Sequence, residues 1–214
     1  MLPQKETNFF AQGSALCLMD RTVKNEDEYT ELFKDAGGAR AIGETSPAYL
    51  AVPDSPELIA KMIPDVKMIV ILRNPIERAH SHYLMRKRQG KETRESFVEC
   101  LEGEDLDPMR SYKSRGFYGE QLERYLKEFP LEQLKIFLYE DFLEDPVSLV
   151  QECCKFLDVD ETFSPDMSEK YNVNPPAPEP MSQEAERILK DLYREDIAKT
   201  QKIIERDLSS WLTS

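Results

Sequence analysis

The sequence lacks several features that would place it in a particular class of protein. No apolar run approaches the roughly 20 residues of a transmembrane helix, and the N-terminus does not have the pattern of a signal peptide. The four cysteines have neither metal-ligand nor redox spacing. The formal net charge is -13, which argues against a nucleic acid as the partner. We therefore predict no membrane segment in this chain, no metal site and no nucleic-acid partner.

The length and composition favour an ordinary globular protein. With 214 residues, of which 40% are hydrophobic and 32% charged, the chain is long enough for a substantial core. We predict a single domain over residues 1–214. Cys153 and Cys154 lie in an apolar helical pattern, which favours reduced core thiols and a cytoplasmic location. No feature of the sequence sets the oligomeric state.

Short apolar runs alternate with helical patterns along most of the chain. This alternation predicts an α/β fold with layers of helices on a mainly parallel sheet. The segment 172–180 contains four prolines and is predicted to be extended. The predicted strands are 39–44, 68–72 and 134–139. The predicted helices are 27–34, 55–62, 75–88, 96–101, 118–129, 146–157, 182–192 and 196–208.

One stretch combines a strand with groups that bind anions. The run from Met68 to Leu72 is unbroken, apolar and too short for a helix, which is typical of a strand buried on both faces of a sheet. Arg73 follows the strand, and Asn74-Pro75 is suited to begin a helix. Ligands of open α/β sheets bind beyond the carboxyl ends of the strands. The presence of Arg73 and Ser81 near the carboxyl end of this strand therefore predicts a phosphate-binding site at that end.

The stretch from Leu72 to Tyr83, LRNPIERAHSHY, resembles the 3′-phosphate-binding segment of sulfotransferases. Those enzymes use 3′-phosphoadenosine 5′-phosphosulfate (PAPS) as the sulfuryl donor. The resemblance implies a three-layer sulfotransferase fold, similar to that of P-loop NTPases. It also implies that Arg73 and Ser81 hold the 3′-phosphate of the donor. The closest likeness is to the heparan sulfate N- and 3-O-sulfotransferase branch, in a bacterial form.

Other segments extend the resemblance over nearly the whole chain. The segment KETNFF resembles the one that holds the catalytic base, which implies that Glu6 accepts the proton of the acceptor. The segment around Glu44 resembles an acceptor-side segment, although Thr45 stands where many glycan-modifying members have lysine. The block SRGFYGEQL implies that Gly116 and Tyr118 line the donor pocket, although a turn glycine and a core tyrosine explain them almost as well.

One family feature is absent from the sequence. Family members begin with a strand and a glycine-rich loop that ends in lysine and threonine. That loop binds the 5′-phosphosulfate of the donor. No such loop occurs in the 214 residues. We therefore expect the chain to be N-terminally incomplete and inactive by itself. Two alternatives remain open: a non-catalytic nucleotide-binding or interaction remnant of the fold, or a partner chain that supplies the strand. A kinase of similar architecture is a weaker alternative, since kinases also need that loop.

The acceptor is a small molecule or a glycan on this interpretation, and its hydroxyl or amine receives the sulfuryl group. A basic cluster in an otherwise acidic chain, Arg86, Lys87, Arg88, Lys91 and Arg94, is either a solvated helix face or a surface for an anionic acceptor. The only two histidines, His80 and His82, point to different sides of a helix and cannot hold a metal together.

Overall fold

The computed structural model describes residues 6–11, 23–103, 111–166 and 179–213. Most of the predicted extended segment 172–180 therefore lies outside the described residues. The α/β class predicted from the sequence is confirmed by a helix-rich chain with a parallel sheet. In the described ranges the sheet consists of two neighbouring strands, β1 (Met68–Leu72) and β2 (Leu134–Leu138).

The helices fall close to most of the predicted positions. The α-helices are α1 (Glu26–Glu31), α2 (Ser55–Met62), α3 (Pro75–Arg88), α4 (Phe97–Glu102), α5 (Tyr118–Glu128), α6 (Tyr139–Glu144), α7 (Pro146–Phe156), α8 (Gln183–Ile204) and α9 (Ser210–Thr213). Short 3₁₀ helices cover Pro47–Leu50, Ser114–Gly116 and Leu131–Gln133.

The strand β1 is not buried on both faces, so that part of the prediction is wrong. Its side chains alternate in burial, and Ile69 and Ile71 are 38% and 50% exposed. Leu72, by contrast, is almost fully buried at the end of the strand. The apolar run did predict a strand, but its two faces differ: Met68, Val70 and Leu72 lie on the more buried face, whereas Ile69 and Ile71 lie on the exposed face.

Two further predictions of secondary structure are wrong. Residues 39–44 form no strand, because their backbone makes no ladder with another described segment. The two C-terminal helices predicted over 182–192 and 196–208 are one continuous helix, α8. The residues between them, 193–195, contain neither glycine nor proline, so nothing in the backbone interrupts the helix.

Side chains cap the first turn of three of the predicted helices. Asn74, Ser96 and Ser182 each accept a hydrogen bond from a backbone N–H in the first turn of α3, α4 and α8. The helix α2 begins at Ser55, as predicted, but Asp54 occupies the cap position and makes no side-chain cap. The Ser55 hydroxyl instead donates to the carbonyl of Phe10.

The chain divides into two compact units, each with an aromatic core. The first comprises residues 1–70, 123–135 and 145–165, and the second comprises 71–122, 136–144 and 166–214. In the first unit, Phe9 stacks on Tyr29 with ring centroids 4.4 Å apart. In the second, Tyr83 stacks on Phe97 at 4.9 Å, next to the buried Tyr112. The single domain predicted from the sequence stays a prediction.

In the described ranges, no helix combines the length and the apolar character that crossing a membrane requires.

Candidate functional site

The position of Arg73 is fixed by the elements on either side of it. β1 ends at Leu72, and α3 begins two residues after Arg73, at Pro75. The Asn74 side chain accepts a hydrogen bond from the backbone N–H of Ile76 at 3.0 Å, and its amide donates to the carbonyl of Trp211 at 3.3 Å. These contacts fix the turn between strand and helix, and they place the arginine at the carboxyl end of the strand.

The guanidinium of Arg73 has two neighbours in the second unit. Its Nε and Nη2 donate to one carboxylate oxygen of Glu77, at 3.3 Å and 3.0 Å. The guanidinium also lies over the ring of Tyr139, 5.2 Å from the ring centroid. The side chain of Arg73 is 32% exposed, so the cation is held against the protein but remains accessible to a ligand.

Arg73 and Ser81 line the same cavity, which has a volume of about 280 Å³. Glu77 lies between them in the sequence and also lines the cavity. The other walls include His80 and Leu84 of α3 and the segment Glu179–Met181. The structure therefore brings together the guanidinium and the hydroxyl that the sequence proposed for phosphate binding, and their binding role stays a prediction.

Tyr118 is buried and supports Arg73 from inside the protein. The backbone N–H of Arg73 donates to the Tyr118 hydroxyl, and the Tyr118 ring makes an edge contact with Trp211, with centroids 6.2 Å apart. Burial raises the pKa of the Tyr118 hydroxyl, while the charge of nearby Arg78 opposes that rise. The hydroxyl is therefore neutral at physiological pH and acts as a hydrogen-bonding group.

Gly116 is also buried, and the structure gives a packing reason for its lack of a side chain. A Cβ atom on this residue would lie 2.5 Å from the ring of Tyr193. The Tyr193 hydroxyl donates to the carbonyl of Lys113 at 2.7 Å, so the ring cannot move away without losing that hydrogen bond. The proposed contact of Gly116 and Tyr118 with the donor stays a prediction.

Glu6, the predicted base, belongs to the first unit. Its side chain is exposed, and its backbone has a φ of 58°, in the left-handed region that is uncommon for residues other than glycine. The backbone N–H donates to the carbonyl of Thr45 at 3.0 Å, which holds the segment next to Glu44. The catalytic role of Glu6 stays a prediction.

Glu44 is the centre of a hydrogen-bond network that sequence reasoning did not find. Its two carboxylate oxygens accept hydrogen bonds from four hydroxyl groups, at distances between 2.7 Å and 3.3 Å. The donors are Thr7, Tyr29, Ser46 and Tyr49. Burial and, to a smaller extent, the nearby Glu44 carboxylate raise the pKa of Tyr49 to about 12. The hydroxyl residues at positions 46 and 49, next to Glu44 in the sequence, are the signal that could have indicated this network.

The basic cluster of α3 and the following loop is partly used in contacts within the chain. Lys87 pairs with Glu179 at 3.0 Å. The guanidinium of Arg94 donates to the carbonyls of Cys100 and Gly103. The ion pair with Glu179 compensates the charge of Lys87, and the two carbonyls take up guanidinium N–H groups of Arg94 that an anionic acceptor would otherwise use.

The two histidines show no sign of metal binding. Burial and the charges of nearby arginines, Arg78 first, lower the pKa of His82 to about 3, so this side chain is neutral. Burial also lowers the pKa of His80. In the part of the chain that the structure describes, no group of three or more potential ligands is arranged to hold a metal ion.

Comparison with known proteins identifies the family. The family model described as "Sulfotransferase domain" matches residues 44–205, which is well over half of the chain. The chain belongs to the sulfotransferase family. This match confirms the family that the sequence motifs predicted.

Solved and curated relatives support the same assignment. The crystal structure of a sulfotransferase from Alicyclobacillus acidocaldarius is similar, with a TM-score of 0.87 and 34% identity, over 98% of this chain and 87% of that one. Heparan sulfate glucosamine 3-O-sulfotransferase 5 of Mus musculus is 34% identical over 128 residues. Heparan sulfate glucosamine 3-O-sulfotransferase 3B1 of Homo sapiens is 32% identical over 121 residues.

The match to these two curated sulfotransferases is partial. It covers 56% of this chain and 37% of the mouse protein, and 55% of this chain and 31% of the human protein. The sulfotransferase fold is thus shared over almost the whole chain with the bacterial structure, whereas the aligned region spans only about a third of the mammalian enzymes.

Proposed function

We propose that this sulfotransferase domain transfers a sulfuryl group from PAPS to a hydroxyl or amine of an acceptor. The family generally uses PAPS as its donor. The observation that carries the proposal is the cavity lined by both Arg73 and Ser81 at the start of α3. A guanidinium and a hydroxyl facing one cavity are suited to an oxyanion such as the 3′-phosphate of the donor.

The reaction that we propose needs no metal ion. An oxygen or nitrogen of the acceptor forms a bond to sulfur, the bond from sulfur to the bridging oxygen of the donor breaks, and adenosine 3′,5′-bisphosphate leaves. The acceptor is a poor nucleophile until a base accepts its proton as the new bond forms. Glu6 is the proposed base, because its exposed carboxylate is accessible to an acceptor and its segment resembles that of the family base.

The acceptor that we propose is a glycan or a small molecule. The curated relatives are named for their action on heparan sulfate glucosamine, which favours a carbohydrate hydroxyl. Thr45, where many glycan-modifying members have lysine, and the internal ion pair of Lys87 argue against a strongly anionic glycan. A cytoplasmic location remains part of the proposal, based on the thiols of Cys153 and Cys154, which form no disulfide.

A second candidate is a nucleotide-binding or interaction module of the same fold without catalysis. The observation that favours it is the absence of a glycine-rich loop followed by Lys-Thr or Lys-Ser from the 214 residues. Such a loop would hold the 5′-phosphosulfate and stabilise the charge that develops on the bridging oxygen. We therefore expect the chain by itself to bind adenosine 3′,5′-bisphosphate weakly and to transfer no sulfuryl group.

The proposal is tested by measuring nucleotide binding to the Arg73→Ala variant. Isothermal titration calorimetry compares adenosine 3′,5′-bisphosphate with adenosine 5′-monophosphate, which lacks the 3′-phosphate. Loss of a charge-assisted contact should weaken binding of the bisphosphate by about tenfold or more. Binding of the monophosphate should not change.

Arg187→Ala is the matched control, because Arg187 is an exposed arginine of α8. A 3′-phosphate site at Arg73 would be ruled out if Arg73→Ala weakened the binding of both nucleotides equally. It would also be ruled out if Arg73→Ala and Arg187→Ala had equal effects on binding. Sulfuryl transfer by the 214-residue chain from labelled PAPS would refute the expectation that it is inactive by itself.

A further inference from the structure

Glu77 lies in an unexpected place for a negatively charged residue. Glu77 and Ser81 are four positions apart on α3, so they lie next to one another on one side of the helix, and Arg73 lies just before the helix begins. All three line the same cavity. A carboxylate therefore lies between the two groups proposed to bind a phosphate.

The contact between Glu77 and Arg73 uses one edge of the guanidinium. Nε and Nη2 both donate to a single oxygen of the carboxylate, at 3.3 Å and 3.0 Å. Pairs of parallel N–H groups on the guanidinium are also what a phosphate uses when it binds arginine through two oxygens. In this structure the Glu77 carboxylate takes the position on that edge that a phosphate oxygen would take.

We infer that Glu77 is an internal competitor for the anion at Arg73 and thereby determines which anions the cavity holds. This inference rests on the proposed function, since it concerns the same 3′-phosphate subsite. Glu77 acts through Arg73 and is therefore a specificity-determining residue rather than a catalytic one. A small anion must displace the carboxylate with few contacts of its own, whereas a nucleotide brings further contacts from its ribose and base.

The alternative role for Glu77 is to hold Arg73 in position, and the other contacts of Arg73 argue against it. The Tyr139 ring lies 5.2 Å from the guanidinium, and the arginine side chain is only 32% exposed. The guanidinium therefore keeps a support when Glu77 is removed. Its backbone is held independently, through the Tyr118 hydroxyl.

Glu77 is also free to leave Arg73 at little cost. Its side chain is 51% exposed, so the carboxylate can rotate into water without losing buried contacts. Exposed ion pairs at this spacing contribute little to stability. A competitor of this kind weakens the binding of any anion that contacts Arg73 but does not block the site.

The experiment compares Glu77→Gln with the parent chain at low ionic strength, by isothermal titration calorimetry. The probes are adenosine 3′,5′-bisphosphate, adenosine 5′-monophosphate and inorganic sulfate. Removal of the competing charge should tighten binding of the bisphosphate and of sulfate by about fivefold. Binding of the monophosphate should stay constant, and adding Arg73→Ala to Glu77→Gln should abolish the gain.

Glu179→Gln is the matched control for the overall charge of the cavity. Glu179 lines the same cavity, but its carboxylate pairs with Lys87 and not with Arg73. A smaller gain in Glu179→Gln than in Glu77→Gln supports direct competition at the guanidinium. Equal gains in the two variants overturn the inference, because they show an effect of net charge alone.

The outcomes also separate this inference from the proposed function. In one outcome the bisphosphate binds in an Arg73-dependent way, but Glu77→Gln binds it no more tightly than the parent chain, or more weakly. This outcome overturns only the competition at Arg73. A gain for inorganic sulfate without any preference for the 3′-phosphate supports the competition and contradicts the nucleotide site. If no variant binds any of the three probes, both proposals are wrong.

Discussion

Individual residues in this protein differ in whether their role is chemical or architectural. Arg73 and Ser81 face a cavity, whereas Gly116 and Tyr118, which the family pattern also indicates, are buried in the packing of the second unit. Family motifs combine both kinds of residue because binding groups need a supported backbone. Burial distinguishes them, and burial is a property of the folded chain.

The packing role of Gly116 leads to a prediction. In Gly116→Ala the new methyl group would meet the Tyr193 ring at 2.5 Å, so the ring or the backbone must shift. Overpacking of this kind typically costs about 1–3 kcal/mol of the free energy of unfolding. Urea denaturation should show this loss, and Gly43→Ala is the control, because no atom lies within 4 Å of a Cβ at that position. An unchanged midpoint in Gly116→Ala would contradict the packing role.

At the scale of helices and strands, one helix is capped by a residue of another. Asp196 of α8 accepts hydrogen bonds from the backbone N–H groups of Gly119 and Glu120, at 2.9 Å and 3.0 Å. These groups belong to the first turn of α5, where N–H groups have no partner within the helix. Burial raises the pKa of the Asp196 carboxyl, while the two N–H donors oppose the rise.

We predict that Asp196→Ala destabilises the protein. The substitution removes the acceptor for two N–H groups at the start of α5, and Gly119 is buried. The expected cost is about 1–3 kcal/mol of the free energy of unfolding, measured by urea denaturation. Glu195→Ala, an exposed acidic neighbour on the same helix, should change the stability much less. Equal effects of the two substitutions would show that Asp196 contributes only its charge.

Sequence patterns predicted the elements well where the signal is local. The boundaries of α3 follow from Asn74 and Pro75 at its start, and β2 follows from the apolar run that begins at Leu134. The role of Asp196 was not predicted, although a carboxylate on the buried side of α8 was a visible signal. Its partners are 76 and 77 residues away, and no local pattern specifies such a pairing.

At the scale of the whole molecule, the C-terminal residues are tied to the start of the candidate site within the second unit. The Trp211 indole donates to the Glu140 carboxylate at 2.9 Å, and the Trp211 carbonyl accepts from Asn74, the cap of α3. Arg206 pairs with Asp141, with Nη2 and Oδ1 2.9 Å apart. The end of the chain thus supports the turn that carries Arg73.

The ion pair between Arg206 and Asp141 predicts a dependence of stability on pH. The hydrogen bond from Arg206 lowers the pKa of Asp141 below its ordinary value of 3.8. The unfolded chain therefore binds the proton more readily than the folded protein. The contribution of the ion pair to the free energy of unfolding is present above pH 3.8. It is lost as the pH falls through the lower pKa of the folded state. Because both side chains are partly exposed, the contribution is at most about 1 kcal/mol.

Arg206→Ala should therefore be less stable than the parent chain at pH 7, and the difference should shrink on acidification below pH 3.8. Guanidinium chloride screens charges, so the measurement uses urea denaturation at a series of pH values. Lys202→Ala on the same helix is a control that removes an exposed positive charge outside this ion pair. A difference that stays constant down to acid pH would show that Arg206 acts through packing alone.

The sequence by itself determined the family and most of the helices and strands, and it predicted the pair Arg73 and Ser81, whose binding role stays a prediction. These depend on residues that are close together in the chain: a cap, a proline, an apolar run and a spacing of eight positions on a short strand and its helix. The tertiary structure alone decided which side of β1 is exposed, that Glu44 gathers four hydroxyl groups, and that Glu77 and Tyr139 are the neighbours of Arg73. Apart from Glu77, and from Ser46 and Tyr49 beside Glu44, these contacts join residues far apart in the chain, so they follow from packing and not from local patterns.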